Sequence, residues 1–371
     1  MFIPLSTDMY LPALPSMGEY FDASTQLVGM TLTVFFFVFA VSIVLFGPMS
    51  DKYGRKPILL AGTLIYTAAS LTCALSADIY MMLIGRFFQA LGAGAVITVA
   101  TVIIKDCFRG ELMTRILAIT QALAVIAPMA APIIGGLLLN FTSWRGAFFL
   151  LTFLGAINFV AACLLSETLP VEKRYQGSVI GSLSLLWILS KNRRFMWVLA
   201  MFSLLAAPYM AYLSVSSFVY IEYFALTAQK YSLFFAINSA AAMLGPLLYL
   251  KLKRRMSTVA LLKFCFAVSL GAGLAVTSIG HWDAVFFLVA FLPFTIIESA
   301  VRPFGMDILL NQAKENAGTA SSMINFVQTL FGSIGMMLGT MPWSNFIDGL
   351  GIIILASVGL AAIIWQRVGR I

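Results

Sequence analysis

Apolar residues run along this chain in long blocks with no polar face and no alternation. The blocks lie at about 24–48, 57–76, 79–104, 113–139, 145–166, 195–220, 230–250, 256–279, 284–310, 317–341 and 345–366. A helix that is hydrophobic all round is buried in protein or lipid, and about 20 apolar residues cross a hydrocarbon core. The pattern therefore predicts eleven full membrane spans. Barrel strands would alternate apolar and polar over about 10 residues, which these blocks do not. The stretch before them, Met1 to Leu14, is apolar but short. As a helix it would reach about 21 Å, less than the roughly 30 Å core. It reads either as an interfacial or re-entrant piece, or as the outer part of a first helix whose inner half is absent. The second reading gives an even helix count and both ends on one side.

Basic residues sort by loop. One set of alternate loops and the C-terminal end hold 18 of them: Lys52, Arg55 and Lys56; Lys105, Arg109 and Arg115; Lys173, Arg174, Lys191, Arg193 and Arg194; Lys251, Lys253, Arg254 and Arg255; Lys314; Arg367 and Arg370. The other set holds only Arg145 and Lys230. By the positive-inside rule the first set, and with it the C-terminus, is expected in the cytoplasm. The longest polar stretch, 167–194, divides the chain into an N-terminal six-helix half (1–166), a cytoplasmic linker and a C-terminal six-helix half (195–371). A faint repeat accompanies the division. Gly47-Pro48 is expected to end the second helix before a charged turn, and Gly245-Pro246 lies near the end of the eighth before a basic one. Parallel six-helix halves are one known transporter layout.

Composition agrees with lipid as solvent. The chain has 371 residues, 61% of them apolar and 10% charged, with a mean hydropathy of +0.97. A soluble domain carries about 25% charged residues. The loop asymmetry accounts for the net charge of +8 without nucleic acid. Four scattered cysteines form no C-x-x-C pair, and a single histidine, His281, excludes a multi-histidine metal site. Met1 is followed directly by apolar residues, so no cleavable signal peptide is expected. A polytopic membrane enzyme would need a polar catalytic cluster, and neither an Asp-rich metal motif nor a Ser–His pair is evident.

Four stretches carry chemistry. Residues 47–57 read G-P-M-S-D-K-Y-G-R-K-P. Gly47 would let two helices approach closely, Asp51 could sit at a helix N-terminus or pair with Arg55, and Gly54 would permit a turn with positive φ. Arg55 and Lys56 would hold the loop at the membrane face. The fourth span carries Arg86, Gln89, Gly92 and Gly94. A membrane-embedded arginine is expensive and should face a partner or a cavity. Asp8 and Arg86 both lie about 10 Å deep by helical rise, so an Asp8–Arg86 pair is expected, structural or functional. The fifth span reads A-P-M-A-A-P-I-I-G-G from Ala127 to Gly136, where Pro128 and Pro132 should bend the helix and Gly135 and Gly136 allow close packing. Glu298 is about 22 Å deep on the tenth span, spaced i, i+4 from Arg302; either the two neutralise each other or Glu298 faces a cavity. Tyr10, Gln89, Gln121, Tyr209, Asn238 and Gln328 are candidate cavity-lining residues, each equally able to form an interhelical hydrogen bond.

Several of these stretches resemble one family. The 47–57 segment is similar to the loop motif G-x-L-[SA]-D-[RK]-x-G-R-[RK] of the major facilitator superfamily, with Met49 for Leu. R-F-F-Q-A-L-G resembles that family's fourth-helix motif, with Ala90 for Gly. A-P-M-A-A-P-I-I-G-G resembles the antiporter motif of its drug exporters, with Ala131 for Gly. S-T-D-M-Y-L-P-A-L-P (Ser6 to Pro15), S-E-T-L-P (Ser166 to Pro170) and G-T-A-S (Gly318 to Ser321) resemble the bicyclomycin-resistance and chloramphenicol-efflux branch of drug:proton antiporters. The resemblance implies an all-α fold of twelve transmembrane helices, with the first apparently truncated. It implies a multi-pass protein of the bacterial cytoplasmic (inner) membrane that exports small lipophilic or cationic drugs by alternating access. Protons would be the coupling ion, with Asp8, Arg86 and Glu298 as coupling residues and no other cofactor. The expected partners are small-molecule drugs and the lipid bilayer, for a monomeric chain that binds no nucleic acid. A nutrient or metabolite transporter and an inactive truncated relative are the alternatives.

Overall fold

A computed structural model describes residues 2–312 and 317–368. Lys314 and Arg370, two of the basic residues counted above, lie outside the described residues. The chain divides into two compact units, Met1–Leu185 and Leu186–Ile371.

The first unit opens with a short helix α1 (Phe2–Asp8), a 3₁₀ turn (Leu11–Ala13) and α2 (Leu14–Phe21). Then follow α3 (Thr25–Tyr53), α4 (Arg55–Ala74), α5 (Ile79–Cys107), α6 (Gly110–Leu138) and α7 (Arg145–Leu164), and α8 (Val179–Ser190) spans the boundary at 185/186. The second contains α9 (Arg193–Ser217) continued by a π-helical turn (Phe218–Tyr223), α10 (Ala228–Ala242), α11 (Leu244–Lys253), α12 (Thr258–Ile279), α13 (Ala284–Gln312), α14 (Ala317–Gly339) and α15 (Phe346–Val368). Ten of these are long and apolar enough to cross a membrane, counting α10 with α11 as one span, or eleven with the bent α6. The eleven apolar blocks are these spans.

Short polar residues set the starts. Ser24, Asp78, Asn192, Thr227 and Ser257 each accept a hydrogen bond from the backbone N–H three residues on, satisfying a donor the first turn of a helix leaves free. The polar stretch 167–194 is not all extended linker: Val179–Ser190, whose four leucines favour helix, forms one.

The two Gly-Pro pairs act differently from expectation. The helix does not end at Gly47-Pro48, because α3 runs on to Tyr53 with Pro48 inside it. Gly245-Pro246 instead follows a break at Met243, and Pro246 sits in the first turn of α11, where its missing N–H costs nothing. In α6 the bend of about 40° separates Gly110–Ala124 from Ile126–Leu138. Pro128 accounts for it: its ring crowds the Ala124 carbonyl and supplies no N–H to it.

In the first unit α5 packs on α3 and α4, and α4 on α7; in the second α9 packs on α14 and α15, and α12 on α13 and α15. Small residues bring the backbones together. A Cβ on Gly92 of α5 would lie 2.6 Å from both the Gly62 carbonyl and the Tyr66 nitrogen of α4. In lipid such van der Waals approach, rather than water exclusion, holds helices together.

Candidate functional site

The structure gathers Arg86 with residues of the first segment, but not in the expected pair. Arg86 is fully buried on α5. Its Nη1 donates to the Ser6 carbonyl at 2.8 Å and to Gln89 Oε1, and its Nε donates to the Thr31 carbonyl at 3.2 Å. The rings of Phe35, Tyr10 and Phe148 surround the guanidinium, with centroids 4.3, 4.8 and 5.9 Å from Cζ. Asp8 is buried as well, and its Oδ1 accepts from Thr7 Oγ1 at 2.8 Å. Among the described residues no ion pair joins Asp8 to Arg86, which corrects the expected pairing. Arg86 reaches the backbone at the end of α1, where the Ser6 carbonyl accepts from it, instead of the Asp8 carboxylate.

Tyr10 and Gln89 support this arrangement. Tyr10 Oη and Thr31 Oγ1 share a 3.0 Å hydrogen bond, and Gln89 Nε2 donates to Ser70 Oγ at 2.8 Å. Both are buried, with their side chains committed to neighbours. Arg86 Nη2 has no hydrogen-bond partner among the described residues.

The fifth-span motif lies directly against the first segment. Gly135 of α6 abuts the Met9 carbonyl, so any Cβ there would collide with backbone. Pro132 and Gly136 are buried on the same helix, Pro128 is half-buried, and Gln121 is exposed nearer its start. The second unit repeats the contact: Gly335 of α14 abuts the Ala207 carbonyl of α9.

The 47–57 motif forms a charge cluster with two residues that sequence reasoning missed. Gly54 joins α3 to α4 at φ 104°, a region open to glycine. Arg55 is buried within this cluster. Its Nη1 donates to Asp51 Oδ1 at 2.5 Å and Ser50 Oγ at 2.8 Å, and its Nε to Asp106 Oδ2 at 3.2 Å. Gly54 has no side chain to cap α4. Glu167 caps it instead, accepting from Arg55 N at 3.0 Å and Lys56 N at 3.3 Å, and also from Thr168 N and Leu169 N. Burial pushes the Glu167 carboxyl up, but the backbone donors of Leu169, Arg55, Lys56 and Thr168 outweigh it and hold it below its ordinary value. Arg174 pairs with Glu167 at 3.7 Å, and Tyr175 N donates to the Asp51 carbonyl at 2.9 Å. Lys56 Nζ donates to the Cys163 carbonyl. Gly47 does not make a tight helix contact: a Cβ there would meet only Thr98 Cγ2, at an ordinary 3.8 Å. The side of the helix that a glycine occupies decides this, and position 47 has room for a methyl against Thr98. The S-E-T-L-P resemblance already contained Glu167; nothing in the sequence singled out Asp106.

In the second unit Glu298 is buried on α13, and its Oε1 accepts from Arg302 Nε at 2.8 Å. The Arg302 side chain is 51% exposed, so its charge is the accessible part of the pair. Tyr209 lies 6.0 Å from Arg302 across its ring. Asn238, buried on α10, accepts from Thr295 Oγ1 of α13 at 2.7 Å, while its Nδ2 has no partner among the described residues. Gln328 is half-buried on α14. Lys253 and Tyr249 of α11 both donate to Asp307, joining the end of α11 to α13. Among the described residues no group of three or more His, Cys, Asp or Glu could hold a metal.

Ten or eleven helices of membrane-crossing length in two compact units make a polytopic membrane protein. The chain belongs to the Major Facilitator Superfamily, whose model matches residues 1–336. It is 29% identical over 336 residues to an uncharacterized MFS-type transporter, YdgK, of Bacillus subtilis, covering 89% of this chain and 84% of that one. It is 25% identical over 354 residues to a bicyclomycin resistance protein homolog of Haemophilus influenzae, covering 92% and 87%. Over 246 residues it is 28% identical to the multidrug resistance protein MdtL of Klebsiella pneumoniae, covering 66% and 62%. Among solved structures it superposes on a mutant form of the nucleoside transporter NupG with a TM-score of 0.76 at 15% identity, covering 100% of this chain and 97% of that one. A D-xylose–proton symporter gives 0.70 at 12% identity, covering 98% and 95%. Identities this low speak for the fold alone.

Proposed function

We propose that this transporter is a proton-coupled exporter of small lipophilic or cationic drugs, working by alternating access from the cytoplasm across a bacterial inner membrane, with its C-terminus cytoplasmic. The observation that carries the reading is the contact of Gly135 with the Met9 carbonyl. The two stretches whose sequences resemble the drug exporters are the two that touch, with Asp8 one residue from the contact. The names of the Haemophilus and Klebsiella relatives, which refer to bicyclomycin and multidrug resistance, support the same reading. Asp8 is the proposed proton carrier. Protonating it discharges the end of α1, whose Ser6 carbonyl Arg86 holds, and so changes the relative stability of inward- and outward-open states. Each charge moved is worth about 2.3 kcal/mol per 100 mV. Glu298, tied to Arg302, is the second proposed coupling group.

The test uses energised everted vesicles carrying this chain, its Asp8→Asn variant, or neither, challenged with cationic and neutral drugs. A drug that dissipates the pH gradient only with intact Asp8 is the expected result. Equal dissipation by Asp8→Asn overturns the coupling role, and dissipation by a sugar or nucleoside but by no drug moves the substrate to a nutrient.

A further inference from the structure

Helix α11 presents two unlike faces. Gly245, Tyr249 and Lys253, each one turn from the next, face α13. A Cβ on Gly245 would lie 2.5 Å from the Ile296 carbonyl oxygen, and Tyr249 and Lys253 both donate to Asp307. On the other face Leu244, Leu247 and Leu250 are each more than half exposed. Lys251 and Arg254, four residues after Leu247 and Leu250, are exposed too and continue that stripe by helical spacing. Residues Ala228–Lys253 are long and apolar enough to cross a membrane as one span. The leucine stripe therefore meets acyl chains, and the end of α11 meets headgroups.

A cavity of about 330 Å³ opens at that end, lined by Leu250, Lys251, Arg254 and Arg255. It is at the small end of the range for ligand pockets. Arg255 N and Met256 N both donate to the Leu252 carbonyl at 2.9 Å, and this tight turn keeps the two arginines beside the last turn of α11. Among the described residues no carboxylate pairs with Lys251, Arg254 or Arg255. The next helix, α12, has no acidic residue in its first turn. Lys253, by contrast, is already neutralised by Asp307.

Three cations around one small cavity repel one another unless an anion sits among them. Loop charge by itself would require neither the cavity nor the continuation of the leucine stripe into basic residues. We propose that the cavity holds the phosphate of an anionic phospholipid. Its headgroup lies among Lys251, Arg254 and Arg255, and its acyl chains lie along Leu244, Leu247 and Leu250. An arginine takes two phosphate oxygens through its planar fork, and a lysine takes one as a point charge. A free phosphate gains the charges without the stripe. A zwitterionic lipid gains the stripe, but its own cation offsets the attraction of its phosphate. The site goes beyond the proposed export reaction, because it asks only that α11 reach a membrane face, whatever the chain carries.

The experiment uses the full chain purified in detergent. It reads the rate at which sulfo-NHS-acetate acetylates Lys251, followed by peptide mass spectrometry. Lys105, exposed in the last turn of α5, is the internal control. The chain is titrated with dioctanoylphosphatidylglycerol, dioctanoylphosphatidylcholine or inorganic phosphate. Saturable protection of Lys251 by phosphatidylglycerol, with little from the other two, is expected. Losing one basic contact to an anionic lipid weakens binding about fivefold, so Arg254→Gln and Arg255→Gln should each raise the midpoint of protection by about that factor. The two are made separately, so that one remains informative should the other not fold. Leu247→Gln, which keeps every charge, should raise the midpoint severalfold. No protection of Lys251, equal protection of Lys105, or equal protection by phosphatidylcholine overturns the proposal. So does protection by inorganic phosphate at the same concentration, which would mark a site for free anions, or an unmoved midpoint in both arginine variants. Failure of drug export in vesicles leaves these outcomes unaffected.

Discussion

Arg86 donates to the carbonyl of Ser6, two residues short of the Asp8 carboxylate. A buried guanidinium is thus neutralised by backbone dipoles and aromatic faces instead of by a carboxylate, and its fork is what lets it reach Ser6, Thr31 and Gln89 together. Arg86→Lys keeps the charge but removes that fork. At least one buried acceptor is then left without a donor, at a cost of about 1–3 kcal/mol. The expected outcome is a Tm in detergent lowered by several degrees, read by thermal shift; an unchanged Tm would contradict the role given to the Ser6 and Thr31 carbonyls.

Gly135 and Gly47 should respond oppositely to the same small change. Gly135→Ala drives a methyl into the Met9 carbonyl, which can yield only by moving α1 or α6. Overpacking of this kind costs about 1–3 kcal/mol. Gly47→Ala adds a methyl at ordinary contact distance from Thr98 and is expected to change stability by less than about 0.5 kcal/mol. Gly335→Ala, meeting the Ala207 carbonyl, should behave like Gly135→Ala. Thermal unfolding of the three variants side by side checks the ordering.

The contrast between these glycines shows what was legible in the sequence. Block length alone gave the helices, since lipid demands about 20 apolar residues wherever a helix crosses. The i, i+4 pairs Asp51–Arg55 and Glu298–Arg302 were legible because helical spacing places such residues together. Partners distant in sequence were not. Asp106 meets Arg55 from 51 residues away and Glu167 from 112, and no periodicity reports such encounters. Depth arithmetic put Asp8 and Arg86 at one level, but level does not fix direction, and the guanidinium donates to the Ser6 carbonyl at the end of α1. Helices packed all round likewise gave no sign of which face Gly47 would present.

Glu167 makes the turn at Gly54 sensitive to acid. Its carboxyl titrates lower in the folded chain than in an unfolded one, so it contributes stability that is fully present above the unfolded value of about 4.3 and is lost as pH falls through the lower folded value. The carboxyl is partly solvated, so the effect is small. Hydrogen exchange at the Arg55 and Lys56 amides should therefore be slow and nearly level above about pH 5, once corrected for intrinsic rates, and lose protection below about pH 4. Glu167→Gln should show reduced protection at neutral pH and no such acid step. An acid step of the same size in that variant would assign it to another carboxyl, Asp51 or Asp106 being the nearest.

The Asn238–Thr295 hydrogen bond joins α10 to α13 with one amide nitrogen already unsatisfied. Thr295→Val keeps the shape and removes the donor, leaving the whole buried amide of Asn238 without a partner. The expected loss is about 1–3 kcal/mol, because the penalty lies in the stranded polar group and not in the bond alone. Asn238→Leu added to Thr295→Val removes that group, so the double variant should be more stable than the sum of the two single losses, by about 1 kcal/mol. Thermal unfolding of all four proteins measures the coupling. Strict additivity would mean that the two side chains contribute to stability separately, and that the hydrogen bond between them carries no energy of its own.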